Sequence, residues 1–186
     1  MDPTNDTSPD DQIERLYRSY HAPIVRYLTR RLGDRDLADE LAHETFVRAM
    51  RYLETHGTVS SERSWLFAVA TNLVRDEARR DSRQRRHLEL LRAEGVDAVE
   101  EPEITSLERM QEAAIARRAV DALAERDRVA LLMKEEGLDY HEIAAALGLS
   151  VGSVGTTLSR ARRRLVEVYE AMQRDEQARA KGGHRG

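Results

Sequence analysis

Apolar residues recur every three or four positions along much of this chain, which is the spacing expected of amphipathic α-helices. In the first half, this pattern predicts a helical segment over residues 13–28 that ends near Gly33, a second helix over about 36–53 and a third over about 65–85. Residues 56–62 are polar and predict a loop between the second and third helices. The sequence shows neither the alternation of a β-strand nor an internal repeat, so we predict an all-α fold.

The second and third predicted helices each combine an apolar face with a polar one, so we expect one side to pack and the other to be free for a partner. The packing face of the second helix is expected to contain Leu37, Ala38, Leu41, Ala42, Thr45 and Ala49. The third helix is expected to bury Trp65, Leu66, Val69 and Leu73, with Trp65 as a core anchor. Its polar side is expected to present Asn72, Asp76, Arg79, Arg80 and Arg83.

Residues 87–109 are acidic and weakly apolar, with Gly95 and Pro102 among them. Such a composition buries too little apolar surface to fold alone, and we predict a flexible linker there. Helical periodicity then returns at Ile115 and predicts a second small helical domain. We divide the chain into a disordered tail over 1–10, a helical domain over 11–86, the acidic linker over 87–110, a helical domain over 111–172 and a flexible tail over 173–186. If the linker alone joins the two domains, the free protein samples several domain arrangements.

Residues 138–165 have the pattern of a helix-turn-helix. Asp139 is placed to cap a helix while Glu142, three residues later, reaches back to complete a capping box. Ser150 is placed to cap the next helix, and Gly148 supplies the permissive backbone that a sharp turn between two helices needs. The second helix of such a unit is normally the one that enters a DNA groove, so this segment predicts DNA binding.

At about 100° per residue, the second helix of this unit has one apolar and one polar side. The apolar side is expected to contain Val154, Leu158, Ala161 and Leu165, and the polar side Thr156, Ser159, Arg160 and Arg163. Arginine can bond a guanine edge in two places or neutralise a phosphate, and Ser and Thr hydroxyls can contact either. The pattern leaves open which residue contacts bases, and it leaves open that Arg163 or Arg164 only complements the helix dipole.

The formal net charge of −4 and a pI of about 5.9 argue against a protein that coats DNA through bulk electrostatics. The average conceals two arginine-rich segments, 75–86 and 160–164, on either side of the acidic residues 89–108. Each basic segment is also compatible with an ordinary solvated helix face. The chain has no cysteine, no apolar run of bilayer length and no signal-peptide pattern, so we expect a cytoplasmic protein without membrane insertion.

Several segments together carry a resemblance to a known family. Residues 36–49, DLADELAHETFVRA, look like the pattern D-x-x-D-L-x-Q-E-T-F-x-R-A, and residues 65–72, WLFAVATN, look like W-L-x-x-I-A-x-N. In the second half, residues 123–126, 140–144 and 159–162 continue the match. In this order and spacing, residues 13–168 resemble the extracytoplasmic-function (ECF) sigma factors of the sigma-70 class. The chain departs from the family pattern at His43, where Gln is usual, at Ala124, where Pro is common, and at Gly155, where the residue is often basic.

The resemblance implies partners and site residues. Core RNA polymerase is expected to bind through its β′ clamp helices and its β flap, and the polymerase-binding residues would be Asp36, Asp39, Glu40, Glu44 and Arg48. The loop over 56–62 and the third helix would open the minus-10 element and hold a flipped base. The minus-10 residues would be Trp65, Asn72, Asp76, Arg79, Arg80 and Arg83. The minus-35 residues would be Ser153, Thr156, Ser159, Arg160, Arg162 and Arg163, where the family pattern favours Arg162 and the helical wheel Arg163. An anti-sigma factor is a further expected partner, and the linker would thread the channels of the polymerase.

Two other classes of protein compete with this interpretation. A helix-turn-helix repressor that acts without core polymerase accounts for residues 138–165, but it leaves the polar side of the third helix without a role. An all-α enzyme or metal protein is disfavoured because the six histidines are scattered and none are paired at an i, i+4 spacing. We therefore expect no catalytic residue, no metal and no cofactor.

Overall fold

The structure is a computed structural model that describes residues 9–89 and 104–182, with side chains over 10–80 and 112–178. The described residues form helices and short connections, without strands, which confirms the all-α prediction. None of the helices found in them is long and apolar enough to cross a membrane. The described helices are α1 (Pro9–Leu32), α2 (Arg35–His56), α3 (Glu62–Glu89), α4 (Ile104–Asp121), α5 (Glu125–Glu135), α6 (Tyr140–Leu147) and α7 (Val151–Gly182).

Helices α1, α2 and α3 form a bundle around a shared apolar core, which removes one face of each helix from water. The predicted packing face of α2 is confirmed, except that Leu37 is only half-buried. Trp65 and Val69 pack against this core as predicted but are only half-buried, whereas Phe67, which was not predicted, is fully buried. The largest side chains in this core are Leu16, Ile24, Tyr27, Leu28, Leu53, Leu66 and Phe67.

The connection between α2 and α3 is short and its ends are well defined. Gly57 ends α2 with a φ of 80°, a backbone conformation that residues with a Cβ rarely adopt. Its N–H donates to the Leu53 carbonyl. Helix α3 begins at Glu62, three residues earlier than predicted, and the Trp65 N–H donates to the Ser61 carbonyl at 2.9 Å. The predicted polar loop is therefore shortened to residues 57–61, directly before the half-buried first turn of α3.

The helix-turn-helix of the second half is confirmed by its caps. The Glu142 N–H donates to Asp139 Oδ1 at 2.8 Å, and the Asp139 N–H donates to Glu142 Oε2 at 2.8 Å, which is a complete capping box. This backbone hydrogen bond to its carboxylate holds the pKa of Asp139 below its ordinary value. Gly148 makes the turn in the left-handed region, with a φ of 63°. The predicted apolar side of α7 is confirmed, with Val154, Leu158 and Ala161 fully buried and Leu165 half-buried.

The two halves also pack directly against each other, which the sequence did not predict. Helices α5 and α6 contact α1 and α3, and apolar residues of both halves belong to one continuous core. The Glu136 side chain is only 2% exposed and accepts hydrogen bonds from Arg26 at 2.9 Å and Arg30 at 3.1 Å. Arg63 of α3 donates to the Glu136 carbonyl at 2.5 Å. The expectation of several domain arrangements assumed that the linker alone joins the halves, whereas here α5 and α6 also do so.

The helices extend into segments that the sequence predicted as linker and tail. Helix α3 continues to Glu89 and α4 begins at Ile104, while the linker residues 90–103 lie outside the described residues. Helix α7 continues to Gly182, so the predicted flexible tail over 173–186 is helical as far as it is described. The physical reason is that α7 packs along α4, where Glu176 pairs with Arg118 at 3.7 Å. Of the predicted N-terminal tail, residues 1–8 lie outside the described residues.

Candidate nucleic-acid and polymerase interfaces

The predicted polymerase-binding residues form an acidic face on α2. Asp36, Glu40, Glu44 and Arg48 follow one another at four-residue intervals, so their side chains lie along one line of the helix. Arg48 Nε donates to Glu44 Oε1 at 2.9 Å, an i, i+4 pair that stabilises the helix by only a few tenths of a kcal/mol. Asp39 lies beside this line and pairs with Arg35 at 3.8 Å. All of these charged groups stay at least partly exposed and available to a partner.

A groove of about 840 Å³ lies between α2 and α3. It joins part of the acidic face to part of the predicted minus-10 surface, because Glu40, Glu44 and Arg48 line one side and Asp76 and Arg80 the other. The remaining lining residues are Leu41, His43, Leu73 and Glu77. His43, one of the departures from the family pattern, thus lies in a groove whose described lining contains more carboxylates than cations.

The polar side of α3 is exposed as predicted. Asn72, Asp76, Arg79 and Arg80 are all exposed, while the side chain of Arg83 lies outside the described residues. Arg75 donates to the Asn72 Oδ1 atom at 3.4 Å, and Asp76 pairs with Arg79 at 3.6 Å. These interactions join neighbours on one helix, so they are easily exchanged for contacts with a ligand.

Sequence reasoning missed an aromatic cluster beside the 57–61 loop. The rings of Tyr52 and His56 stack with their centroids 4.3 Å apart, and Trp65 lies 4.9 Å from Tyr52. Tyr52 and Trp65 are half-buried and His56 is exposed, so the cluster presents ring surface to solvent at the edge of the loop. Exposed aromatic faces can stack on an unpaired base. The i, i+4 spacing of Tyr52 and His56 was the sequence signal that could have revealed the cluster.

The predicted minus-35 residues lie on the outer side of α7. Thr156, Ser159, Arg160, Arg162 and Arg163 are exposed, and Ser153 is half-buried. The Ser153 hydroxyl donates to the Ser150 carbonyl, and the Thr156 hydroxyl donates to the Ser153 carbonyl, both at 2.8 Å. With their hydrogens used in this way, both hydroxyls present lone pairs to an incoming hydrogen-bond donor.

Arg160 differs from Arg163 and Arg164 of the same helix because its partner belongs to another helix. Its Nε and Nη2 atoms donate to the two carboxylate oxygens of Asp127 in α5, at 2.8 and 2.5 Å. Asp127 is 5% exposed, and its hydrogen bond to Arg160 raises the pKa of that guanidinium above its ordinary value. Arg163 and Arg164 instead share the exposed Glu167 of their own helix. The 33-residue separation hid the Asp127–Arg160 pair from pattern analysis.

The start of α5 lies next to the exposed side of α3. Arg75 approaches Glu125 at 3.7 Å, and Glu125 also accepts hydrogen bonds from Arg31 of α1 and Arg128 of α5. Partial burial raises the pKa of the Glu125 carboxyl, but the hydrogen bond from Arg128 and the charge of Arg31 outweigh this and hold it below its ordinary value. Glu125 is therefore a charged link between the two halves.

The comparisons with known proteins cover both halves. The family model described as Sigma-70 region 2 matches residues 16–84, and the model described as Sigma-70, region 4 matches residues 113–165. RNA polymerase sigma factor YlaC of Bacillus subtilis is 36% identical over 155 residues, which is 82% of this chain and 88% of that protein. The ferric citrate uptake sigma factor FecI of Escherichia coli is 34% identical over 152 residues, 80% of this chain and 86% of that protein.

Solved structures show the same fold. The sigma factor RpoE from Bartonella quintana, in complex with the anti-sigma factor NepR, matches with a TM-score of 0.64 at 22% identity, covering 86% of this chain and 97% of that one. CnrH, in complex with the cytosolic domain of CnrY, matches with a TM-score of 0.64 at 22% identity, covering 87% of this chain and 90% of that one. With a region 2 bundle, a region 4 helix-turn-helix, and relatives above 30% identity over most of both chains that include the ECF RNA polymerase sigma factor SigL of Mycobacterium tuberculosis, this chain belongs to the ECF sigma factors of the sigma-70 family.

Proposed function

We propose that this protein is an alternative sigma factor that binds core RNA polymerase, directs it to a specific set of promoters and promotes opening of the minus-10 element. The observation that carries the proposal is the presence in one chain of the acidic α2 face, the polar α3 side and the exposed α7 side, on a region 2 and a region 4 fold. A repressor needs only the third of these surfaces. Sigma factors are initiation factors, so RNA synthesis itself is catalysed by the polymerase.

The α2 face is the proposed polymerase contact. Asp36, Glu40 and Glu44 provide a line of carboxylates that would suit a surface of opposite charge, and we assign this face to the β′ clamp helices. Exposed charges of this kind contribute more to the rate and orientation of association than to raw affinity. The second domain, 111–172, is proposed to lie against the β flap while α7 faces DNA. The linker is proposed to run through the channels of the polymerase between the two domains.

The first domain, 11–86, is proposed to open and hold the minus-10 element. A base extruded from the non-template strand exposes its edge for hydrogen bonding, at the cost of unstacking. The stacked rings of Tyr52, His56 and Trp65 offer replacement stacking beside the loop, and Asn72 and Asp76 offer polar groups on the next turns of α3. Arg79, Arg80 and Arg83 are proposed to neutralise the adjacent phosphates.

The outer side of α7 is proposed to read the minus-35 element as duplex DNA. Arginine donors fit the O6 and N7 acceptors of guanine in the major groove, and the Ser159 and Thr156 hydroxyls suit either bases or phosphates. Glycine at 155 provides no side chain for such a contact, and a Cβ there would only meet the Tyr140 ring at 3.7 Å. We assign base reading to arginine on the later turns of α7 rather than to a residue of its first turn.

We also propose that an anti-sigma factor regulates the protein. The structurally similar sigma factor RpoE was solved in complex with the anti-sigma factor NepR, and the similar protein CnrH was solved in complex with the cytosolic domain of CnrY. The acidic α2 face and the arginine-rich side of α7 have opposite charges, so a partner that covered both would need complementary basic and acidic surfaces. Action through RNA polymerase places this regulation in the cytoplasm.

Run-off transcription tests the proposal. Core bacterial polymerase is incubated with and without the protein on a genomic promoter library, and the RNA starts are sequenced. We expect new starts that share a two-part motif upstream and depend on the protein. Glu40→Lys combined with Glu44→Lys should abolish these starts and reduce binding to core polymerase, because the acidic face becomes basic. A folded protein that binds duplex DNA but yields no starts with core polymerase would contradict the proposal and favour the repressor.

A further inference from the structure

We infer that Asp127 is a positioning residue for promoter recognition. It holds the Arg160 guanidinium so that one edge of that group reads a single base pair of the minus-35 element. This inference rests on the proposed sigma-factor function and assigns a role to a residue of α5, outside the helix that faces DNA. The pair joins α5 and α7, and the carboxylate in it is buried whereas the guanidinium is half exposed.

The geometry uses one edge of the guanidinium and leaves another free. A guanidinium carries five N–H donors, and the Nε and Nη2 atoms of Arg160 each direct one of them at Asp127. The remaining donors lie on Nη1 and on the outer side of Nη2. These two nitrogens form the parallel pair that matches the O6 and N7 acceptors of guanine. The side chain of Arg160 is 53% exposed, so this second edge is open to DNA.

Preorganisation gives the pair its function. A free arginine must lose the freedom of several rotatable bonds when it binds a base, and that loss weakens binding. In this structure Asp127 has already fixed the guanidinium, so less freedom is lost on contact with DNA. The carboxylate also neutralises the charge of Arg160. The pair should therefore add selectivity for one base pair and little to the general attraction between the protein and phosphates.

Two neighbouring arginines of α7 have a different environment. Arg163 and Arg164 approach Glu167 at 3.9 and 3.3 Å, and all three side chains are more than half exposed. Such exposed pairs are weak and fix neither guanidinium firmly. We assign these arginines to phosphates, where position matters less. The two carboxylates, Asp127 and Glu167, thus provide a matched pair for experiment, since both partner arginines of the same helix but only the first is buried.

The test measures base preference in the reconstituted holoenzyme. A promoter library with a randomised minus-35 element is transcribed by core polymerase carrying the wild type, Asp127→Asn, Glu167→Gln or Arg160→Lys. We expect Asp127→Asn to lower discrimination at one base pair about tenfold, the range of a single bidentate contact. Binding to non-specific duplex DNA should stay the same or increase, and become more dependent on salt, because the protein loses a negative charge. Glu167→Gln makes the same charge change and should leave the base preference intact.

Coupling between the two residues sharpens the result. Arg160→Lys keeps the charge but loses the planar pair of donors, so it should relax the same base pair, and adding Asp127→Asn should have little further effect. Retained preference in Asp127→Asn would overturn the inference, as would an equal loss on every minus-35 sequence together with a lower melting temperature. If Asp127→Asn does not fold, an unchanged minus-35 base preference in Arg160→Lys would by itself overturn the inference. A wild type that shows no minus-35 preference at all would instead contradict the proposed function.

Discussion

The two helices proposed to face the promoter, α3 and α7, are supported in different ways. On α3, Asn72 and Asp76 interact with arginines three residues further along the same helix. On α7, Arg160 is bound through two hydrogen bonds to a buried carboxylate of a different helix. Exposed pairs within one helix stabilise by a few tenths of a kcal/mol, whereas hydrogen bonds to charged groups contribute about 1.5–3 kcal/mol.

This difference fits the two tasks that we propose. A surface that must open a duplex and accept a flipped base needs side chains that exchange partners easily, and local pairs allow that. A surface that reads an intact duplex benefits from donors that are already in place. The comparison indicates that the minus-10 surface is adaptable and the minus-35 surface is preorganised. Substitutions in the core and in the ion pairs that hold these two surfaces test this difference, from the largest expected effect to the smallest.

The largest effect is expected from the core beneath α3. Phe67 is fully buried and its ring lies 5.3 Å from that of Tyr27, so Phe67→Ala should lower the free energy of unfolding by about 3–5 kcal/mol. Denaturant unfolding measures this. Trp65→Ala is the matched variant, because Trp65 is half-buried on the same helix. It should destabilise less and yet reduce minus-10 opening more. An equal loss of stability in both variants would show that Trp65 contributes as much to the core as Phe67 does.

A smaller effect is expected at the contact between the halves. Glu136→Gln removes the negative charge that lies between Arg26 and Arg30, and it should lower the free energy of unfolding by about 1–3 kcal/mol. Small-angle scattering should show a larger radius of gyration, because docking of α5 and α6 weakens. Glu62→Gln is the control, since Glu62 pairs with Arg15 within the first half. If Glu62→Gln also had a larger radius of gyration, the expansion would not come from weaker docking of α5 and α6, and the prediction would be wrong.

These long-range contacts mark the limit of what the sequence could predict. The capping box of Asp139 and Glu142 is a local device, and the buried side of α7 follows from one unambiguous apolar stripe, so both were predictable. On α3, two overlapping apolar stripes fit the same sequence, and only packing decides that Phe67 is buried and Trp65 half-buried. The pairing of Glu136 with Arg26 spans 110 residues. No periodicity carries information over that distance, and single exposed charges are common on helices.

Acid should weaken the link between the halves in a defined range of pH. The pKa of Glu125 in the folded protein lies below its ordinary value of 4.5, so the charged carboxylate stabilises the folded state above about pH 4.5. This contribution is lost as the pH falls through the lower, folded value. The difference in unfolding free energy between the wild type and Glu125→Gln should be constant near neutral pH. It should disappear once the pH has fallen below the pKa of Glu125 in the folded protein. A difference that grew on acidification would have the wrong sign for a lowered pKa.

The smallest effect on stability is expected on the polar side of α3, because the comparison with α7 requires the ion pairs there to be weak. Asp76 and Arg79 are 58% and 73% exposed, so Asp76→Asn should change the free energy of unfolding by less than about 0.5 kcal/mol. Glu14→Gln, which removes another exposed pair within one helix, is the control for stability. Fluorescence of a base analogue in the minus-10 element should show slower opening with Asp76→Asn only. If Asp76→Asn cost more than 1 kcal/mol of stability, its carboxylate would be a fixed structural partner, and α3 would be as preorganised as α7.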